Sequence, residues 1–221
     1  MDSRIRPLTR YLVVIASVIA IIGAAPRAGQ SDASRERITA DASGVVTYFI
    51  APPEEKSGYR ASDADLVTWA LREWQRSVGV PRFERVDSEA GAVIRVHWLP
   101  WSEEAALGHM QPSTIDGRTI AAVDIRPDEH RFRPTVRRRI IEDPLMRDVV
   151  VYYVCLHEIG HALGLGHSEN PRDIMWPGNN GVTLPIYDRY RHQIGVRADF
   201  ATTSWLSHDD IARVKAIWAR P

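Results

Sequence analysis

The chain has almost no cysteine. Cys155 is the only one in 221 residues, so no intrachain disulfide can staple the fold. It also has no charge bias. Lysine and arginine together number 28, aspartate and glutamate 28, and the formal net charge is zero. A neutral chain offers no long-range field for nucleic acid, and that class of partner is set aside. Its length suits one domain plus a leader.

Long apolar runs are scarce, and the longest is N-terminal. Arg4, Arg6 and Arg10 precede an apolar or small stretch over residues 11–25, which ends in Gly23, Ala24 and Ala25. As a helix it spans about 22 Å, short of the ~30 Å hydrocarbon core. It reads as a signal peptide over residues 1–25, or as an N-terminal membrane anchor, since Pro26 is a poor residue after the cut. Either way, the positive flank puts the remainder outside the cytoplasm, secreted or tethered through residues 11–25. Residues 26–43 are small, polar and charged without periodicity, and read as a linker.

Against these absences stands one dense string. Residues 157–167 read His-Glu-Ile-Gly-His-Ala-Leu-Gly-Leu-Gly-His. Four residues are close to one helical turn, so His157 and His161 share a face and can hold one zinc ion. Glu158 is placed to take a proton from a water on that metal. Gly164 permits a sharp turn, because glycine enters positive φ without steric cost. The turn returns His167 as a third ligand, which leaves a fourth position open, as in a catalytic zinc site. Cys155, two residues before His157, is rotated about 200° from that face and reads as a small apolar filler.

The residues around the string carry a resemblance. Ser168 follows the third histidine, and Ile174, Met175, Trp176 and Pro177 form a tight turn shortly after. This pattern resembles the metzincin clan of zinc metalloproteases and, within it, the matrixin (matrix metalloproteinase) family. The resemblance implies that Met175 lies beneath the ligands as an apolar floor. Pro177 stands where other metzincins carry a tyrosine, so no fifth ligand is expected. It also implies an α+β fold with a twisted, mostly parallel sheet, an antiparallel edge strand, a zinc helix and a C-terminal helix. Leu107, Gly108 and His109 resemble the edge strand that binds an extended peptide along the cleft, a case of β-augmentation. His109 occupies the place of a structural-zinc ligand. No second histidine stands near Asp124 and Ile125, so a second structural zinc or a calcium stays open. The family's usual cysteine-bearing propeptide has no counterpart in residues 26–43, which lack cysteine.

The periodicity of the chain fits that frame over residues 44–221. Residues 45–50 are β-branched and aromatic and read as a strand stopped by Pro52 and Pro53. Ser62 is the expected cap of a helix whose face is Val67, Ala70, Leu71, Trp74 and Val78, ended by Gly79. Further strands are expected over residues 82–86, 92–99 and 119–125, then the zinc helix over 148–163. Ser207 and Asp210 are a capping-box pair for a last helix, and in the family such an aspartate supports the methionine turn. Two stretches depart from the family. Residues 131–139, with Arg137, Arg138 and Arg139, read as a solvated irregular insertion. Residues 178–204 read as a long loop that shapes the pocket rim.

The expected activity is hydrolysis of a protein or peptide by one catalytic zinc, with Glu158 as general base and acid. Two other classes compete: a non-catalytic extracellular binding protein on the same scaffold, and a structural metalloprotein. An intact Glu158 speaks against the first, and an incomplete ligand set against the second. Substrate preference, regulation and oligomeric state do not follow from the sequence.

Overall fold

The computed structural model describes residues 37–102, 106–178 and 183–219. The expected signal or anchor over 1–25 lies outside the described residues, as do residues 26–36 of the expected linker. Among the described residues, no helix is long and apolar enough to cross a membrane.

Five strands form one sheet: β1 (Val45–Ile50), β2 (Arg82–Arg85), β3 (Ile94–Trp98), β4 (Gly108–Ile115) and β5 (Arg118–Ile125), in the order β2-β1-β3-β5-β4. The first three pairings are parallel, and β4 runs antiparallel to β5. Asp116 and Gly117 both take positive φ (50° and 74°), which closes that hairpin. The mostly parallel sheet with an antiparallel edge strand is the architecture the resemblance implies.

Helix α1 (Asp63–Val78) turns Leu66, Val67, Ala70, Leu71, Trp74 and Val78 into the core and ends at Gly79, φ 90°. Its start differs from expectation. Ser62 makes no side-chain cap; Asp63 accepts the Arg60 N–H at 2.9 Å instead. The reason is an ion pair. Arg147 donates to both oxygens of Asp63, at 2.7 and 2.9 Å, and both side chains are fully buried. Arg147 also donates to the carbonyls of Gly58 and Pro127 at 2.9 and 3.3 Å, so one guanidinium ties α1 to the segment after β5.

Helix α3 (Leu145–Ala162) is the spine. Its run Val149–Leu156 is apolar on every side, and nearly all its residues are buried between the sheet and the other helices. The Trp74 indole N–H donates to the Leu156 carbonyl at 3.0 Å and fixes α1 against it. Cys155 is fully buried, as a filler should be. The last helix, α5 (His208–Trp218), begins with the expected capping box of Ser207 and Asp210.

Three expectations are corrected. The linker does not extend to residue 43: Ile38 is buried, its N–H donates to the Ala162 carbonyl at 3.1 Å, and Thr39 bonds to Thr119 at 3.0 Å. Residues 131–139 are not an irregular insertion, because α2 (Pro134–Glu142) packs Val136 and Ile140 inward. Residues 178–204 are not merely a loop. They contain α4 (Thr183–Arg191), with Ile186, Tyr187 and Tyr190 buried, and Phe200 beyond it. Helices this short offer only two or three apolar positions to a periodicity argument. They are stable through docking rather than propensity. Arg139 reaches Asp188 at 3.1 Å and Arg191 reaches Asp143 at 2.6 Å, which joins the two segments.

Candidate metal centre and cleft

The C-terminal end of α3 brings His157 and His161 onto one face, as their spacing requires. The helix then stops at Gly164, φ 101°, where the Gly164 N–H donates to His161 and the Leu165 N–H to Gly160, at 2.9 and 3.0 Å. Past that turn His167 swings back. The ligand-type nitrogens of His157, His161 and His167 all lie within 4.8 Å of one another. Among the described residues this is the cluster of histidine, cysteine and carboxylate groups that converges so closely.

The fit to a metal ion rests on hydrogen bonding. His157 Nδ1 lies 2.8 Å from the Ile174 carbonyl, and His161 Nδ1 2.8 Å from the Leu165 carbonyl. A carbonyl only accepts, so each Nδ1 carries the proton and each Nε2 keeps its lone pair for a metal. His161 Nε2 and His167 Nε2 are 3.2 Å apart. Two nitrogens bound tetrahedrally at roughly 2.0–2.1 Å would be about 3.3 Å apart, so the donors stand at ligand spacing. Burial pushes His157 down to about 4, which keeps it neutral at physiological pH.

The turn beneath is held by the last helix. Asp210 accepts the N–H groups of Ile174 and Met175 at 2.8 and 3.4 Å, and that of Ser207 at 3.1 Å. Burial raises its carboxyl, and these donors pull against the rise. Met175 is fully buried against Gly160, where a side-chain carbon would collide with its sulfur. Ser168 N–H donates to the Met175 carbonyl at 2.9 Å and closes the loop that carries His167.

Glu158 lines the same cavity as the histidines and lies beneath β4. A Cβ placed on Gly108 would sit 2.6 Å from its Oε1 and 2.5 Å from Val154, so only glycine allows the edge strand this close. Burial pushes the Glu158 carboxyl up to about 8, against the Met110 backbone N–H, which lowers it. A cation held by the three histidines would also work against the rise.

These groups open into a cavity of about 620 Å³. Leu107, Gly108 and His109 line it from the sheet edge, and Trp176 and Pro177 from the methionine turn. Tyr153, one turn before His157, stacks on it at 6.3 Å and donates its hydroxyl to the Trp176 carbonyl at 3.1 Å. That residue is missing from the sequence reading, although helix periodicity alone places it on the ligand face. Phe132, Val136 and Tyr187 form the far wall. Tyr187 comes from the segment expected at the pocket rim, whereas no local signal points to Phe132 and Val136, which arrive from a segment distant in sequence. His109 stands exposed on β4, opposite Asp124 in register. Asp124 is bonded to His97 at 3.2 Å, and His97 also reaches Glu89 at 3.0 Å. The carboxylate of Asp124, above all, raises the His97 pKa.

Similarity to known proteins agrees with this geometry. A family model described as Matrixin matches residues 40–189. Macrophage metalloelastase of Rattus norvegicus is 37% identical over 71 residues, which is 32% of this chain and 12% of that protein. The alignment thus spans only a small part of the relative. The family match takes in β1 through most of α4, including every histidine of the cluster and the methionine turn, and on that basis the chain belongs to the matrixin family.

Proposed function

We propose that this protein is a zinc-dependent endopeptidase with Glu158 as its general base and acid. The observation that carries this reading is the pairing of a three-histidine cluster, its Nδ1 protons committed to backbone carbonyls, with a buried carboxylate on the adjacent residue. His157, His161 and His167 would hold the metal. A zinc ion there supplies Lewis acidity, polarising a peptide carbonyl and making a water acidic near neutral pH. Glu158, within the cleft, takes the proton of the attacking water as a carboxylate and returns it to the leaving amine. Gly108 and Met110 hold that carboxyl under the edge strand. Among the described residues no strand pairs with the outer edge of β4, and an extended peptide laid along it would gain main-chain hydrogen bonds. Its side chain after the scissile bond would enter the cavity between Tyr153 and Tyr187. Met175 and Pro177 shape the floor and rim. The N-terminal sequence supports secretion or surface tethering.

The test is the Glu158→Gln protein. It should keep its zinc and lose roughly 10²–10⁴-fold in turnover of an unstructured protein substrate such as casein. Retention of more than a tenth of wild-type turnover would remove Glu158 from its role. Failure of the zinc-loaded wild type to cleave anything would favour the non-catalytic binding protein instead.

A further inference from the structure

His157 and His161 stand on α3, and the helix sets their spacing. His167 stands beyond the helix, exposed, and its place depends on the loop that carries it. Before His167 that loop is tied to the helices. The Leu165 N–H donates to the Gly160 carbonyl at 3.0 Å, and Arg213 of α5 donates to the Gly166 carbonyl at 2.8 Å. After His167 the ties converge on one side chain, Asp173.

Asp173 is buried, with 1% of its surface exposed. One carboxylate oxygen accepts the hydroxyl of Ser168, the residue next to His167, and the other accepts the Asn170 side-chain N–H at 3.1 Å. The Ser168 oxygen in turn accepts the Asn170 backbone N–H at 3.1 Å. The backbone closes the same knot. The Asp173 N–H donates to the Asn170 carbonyl at 3.0 Å, and the Trp176 N–H to the Asp173 carbonyl at 3.3 Å. The next residue, Ile174, offers its carbonyl to His157 and its N–H to Asp210. Two consecutive residues thus join the supports of the first ligand, the third ligand and the methionine turn.

Asp173 is not a filler of this turn. Its charge adds to the burial that raises Asp210, so two acidic groups share one buried turn, which is unfavourable. Against that cost, a carboxylate provides two acceptor oxygens and hydrogen bonds about twice as strong as neutral ones. An apolar residue would close the backbone equally well but would not hold Ser168.

We infer that Asp173 is a positioning residue for the metal centre: by holding Ser168 and Asn170, it fixes the loop in which His167 stands at ligand spacing from His161. This rests on the metal-centre reading above and adds to it the residue on which the third ligand depends. Asp173 acts through His167, so its removal should free that ligand and leave the two helix histidines in place.

The test is zinc affinity of the full-length protein, measured by chelator competition, with folding checked by thermal unfolding of the metal-stripped chain. Asp173→Ala should bind zinc about 10- to 100-fold more weakly than the wild type, the range for loss of a group that orients a ligand. Asp173→Asn keeps an acceptor oxygen for Ser168 and should recover part of that loss. Ser168→Ala removes one bond and should weaken zinc by about two- to tenfold, and it carries the test if Asp173→Ala does not fold. The separating arm is a His167→Ala background, read with a weaker chelator. With the third ligand gone, adding Asp173→Ala or Ser168→Ala should change affinity by less than about twofold, whereas general damage to the fold weakens zinc equally in both backgrounds. Wild-type affinity in both single variants, or an equal loss with and without His167, overturns the inference and leaves the metal centre standing. Failure of the wild type to bind zinc overturns the metal centre and the inference with it. Zinc binding without cleavage of any protein substrate overturns the peptidase reading, and the affinity comparison then decides the inference alone.

Discussion

The two walls of the cleft are built in opposite ways. The near wall is one stretch of chain, from Tyr153 to Pro177. Its parts are placed by local bonds: helix spacing, the Gly164 turn, and two carbonyls that each fix one imidazole. The far wall comes from residues 131–136 and 187, brought together only because α2 and α4 dock on α3 and on each other. Chemistry that needs atoms fixed to fractions of an ångström sits on the near wall. Selection among side chains, which changes with pocket contacts, sits on the far wall.

Removing the far wall breaks the comparison most severely. Replacing residues 178–204 with a short Gly/Ser linker looks harmless if the segment is a loop. Yet it removes Ile186, Tyr187, Tyr190, Ile194 and Phe200, all buried. Truncating one buried aromatic costs about 3–5 kcal/mol, and several together exceed the ~5–15 kcal/mol stability of a typical domain. The shortened protein should show no cooperative thermal transition. A near-native melting temperature would return the segment to the status of a surface insertion.

The wall's anchor is next. Arg147→Met leaves the buried Asp63 side chain without its cationic partner, at a cost of about 3–5 kcal/mol in urea unfolding. Adding Asp63→Leu should recover much of the loss, because no unpaired charge then remains. A double variant as unstable as the single one would mean that the bonds to Gly58 and Pro127, not the charge, are what the site provides.

A smaller effect sharpens the contrast on the near wall. Gly108→Ala sets a methyl carbon against Glu158 and Val154. Zinc content should be unchanged, while turnover falls roughly ten- to a hundredfold through displacement of the carboxyl. Unchanged turnover would show that the edge strand yields without moving Glu158.

The smallest effect is one of pH. Burial raises Glu158 from 4.5 to about 8, so the metal-stripped protein binds this proton more tightly folded than unfolded. Its contribution to stability is complete below pH 4.5 and is lost as pH rises through 8. Chelator-treated Glu158→Gln should thus gain steadily on the wild type as pH rises from 5 to 8. A gain independent of pH would mean the carboxyl is ionised in the folded chain.

Much of this was legible in advance, for a common reason. The strands at 45–50, 94–98 and 118–125 follow from runs rich in β-branched residues with proline shortly after them, whereas 82–85 carries no β-branched residue. The face of α1 and the capping box of α5 follow from helical spacing. Ser62 misled because a cap pattern says nothing of a distant arginine that claims the next residue. Residues 37–43 misled because a single apolar residue, Ile38, suffices to dock a segment that otherwise reads as polar.

The sequence determined the candidate chemistry, two histidines and a glutamate at one helix end, a glycine turn that returns a third histidine, and a methionine turn at fixed distance, and through the family resemblance the α+β architecture. Those groups are close in sequence, and helix and turn geometry relate them without reference to the remainder of the chain. Only the tertiary structure decided what closes the cleft. Phe132, Val136, the helix that brings Tyr187 out of the segment expected at the rim, and the close passage of Gly108 over Glu158 are set by packing between segments up to about 80 residues apart, and no local pattern encodes which side chains such packing brings face to face.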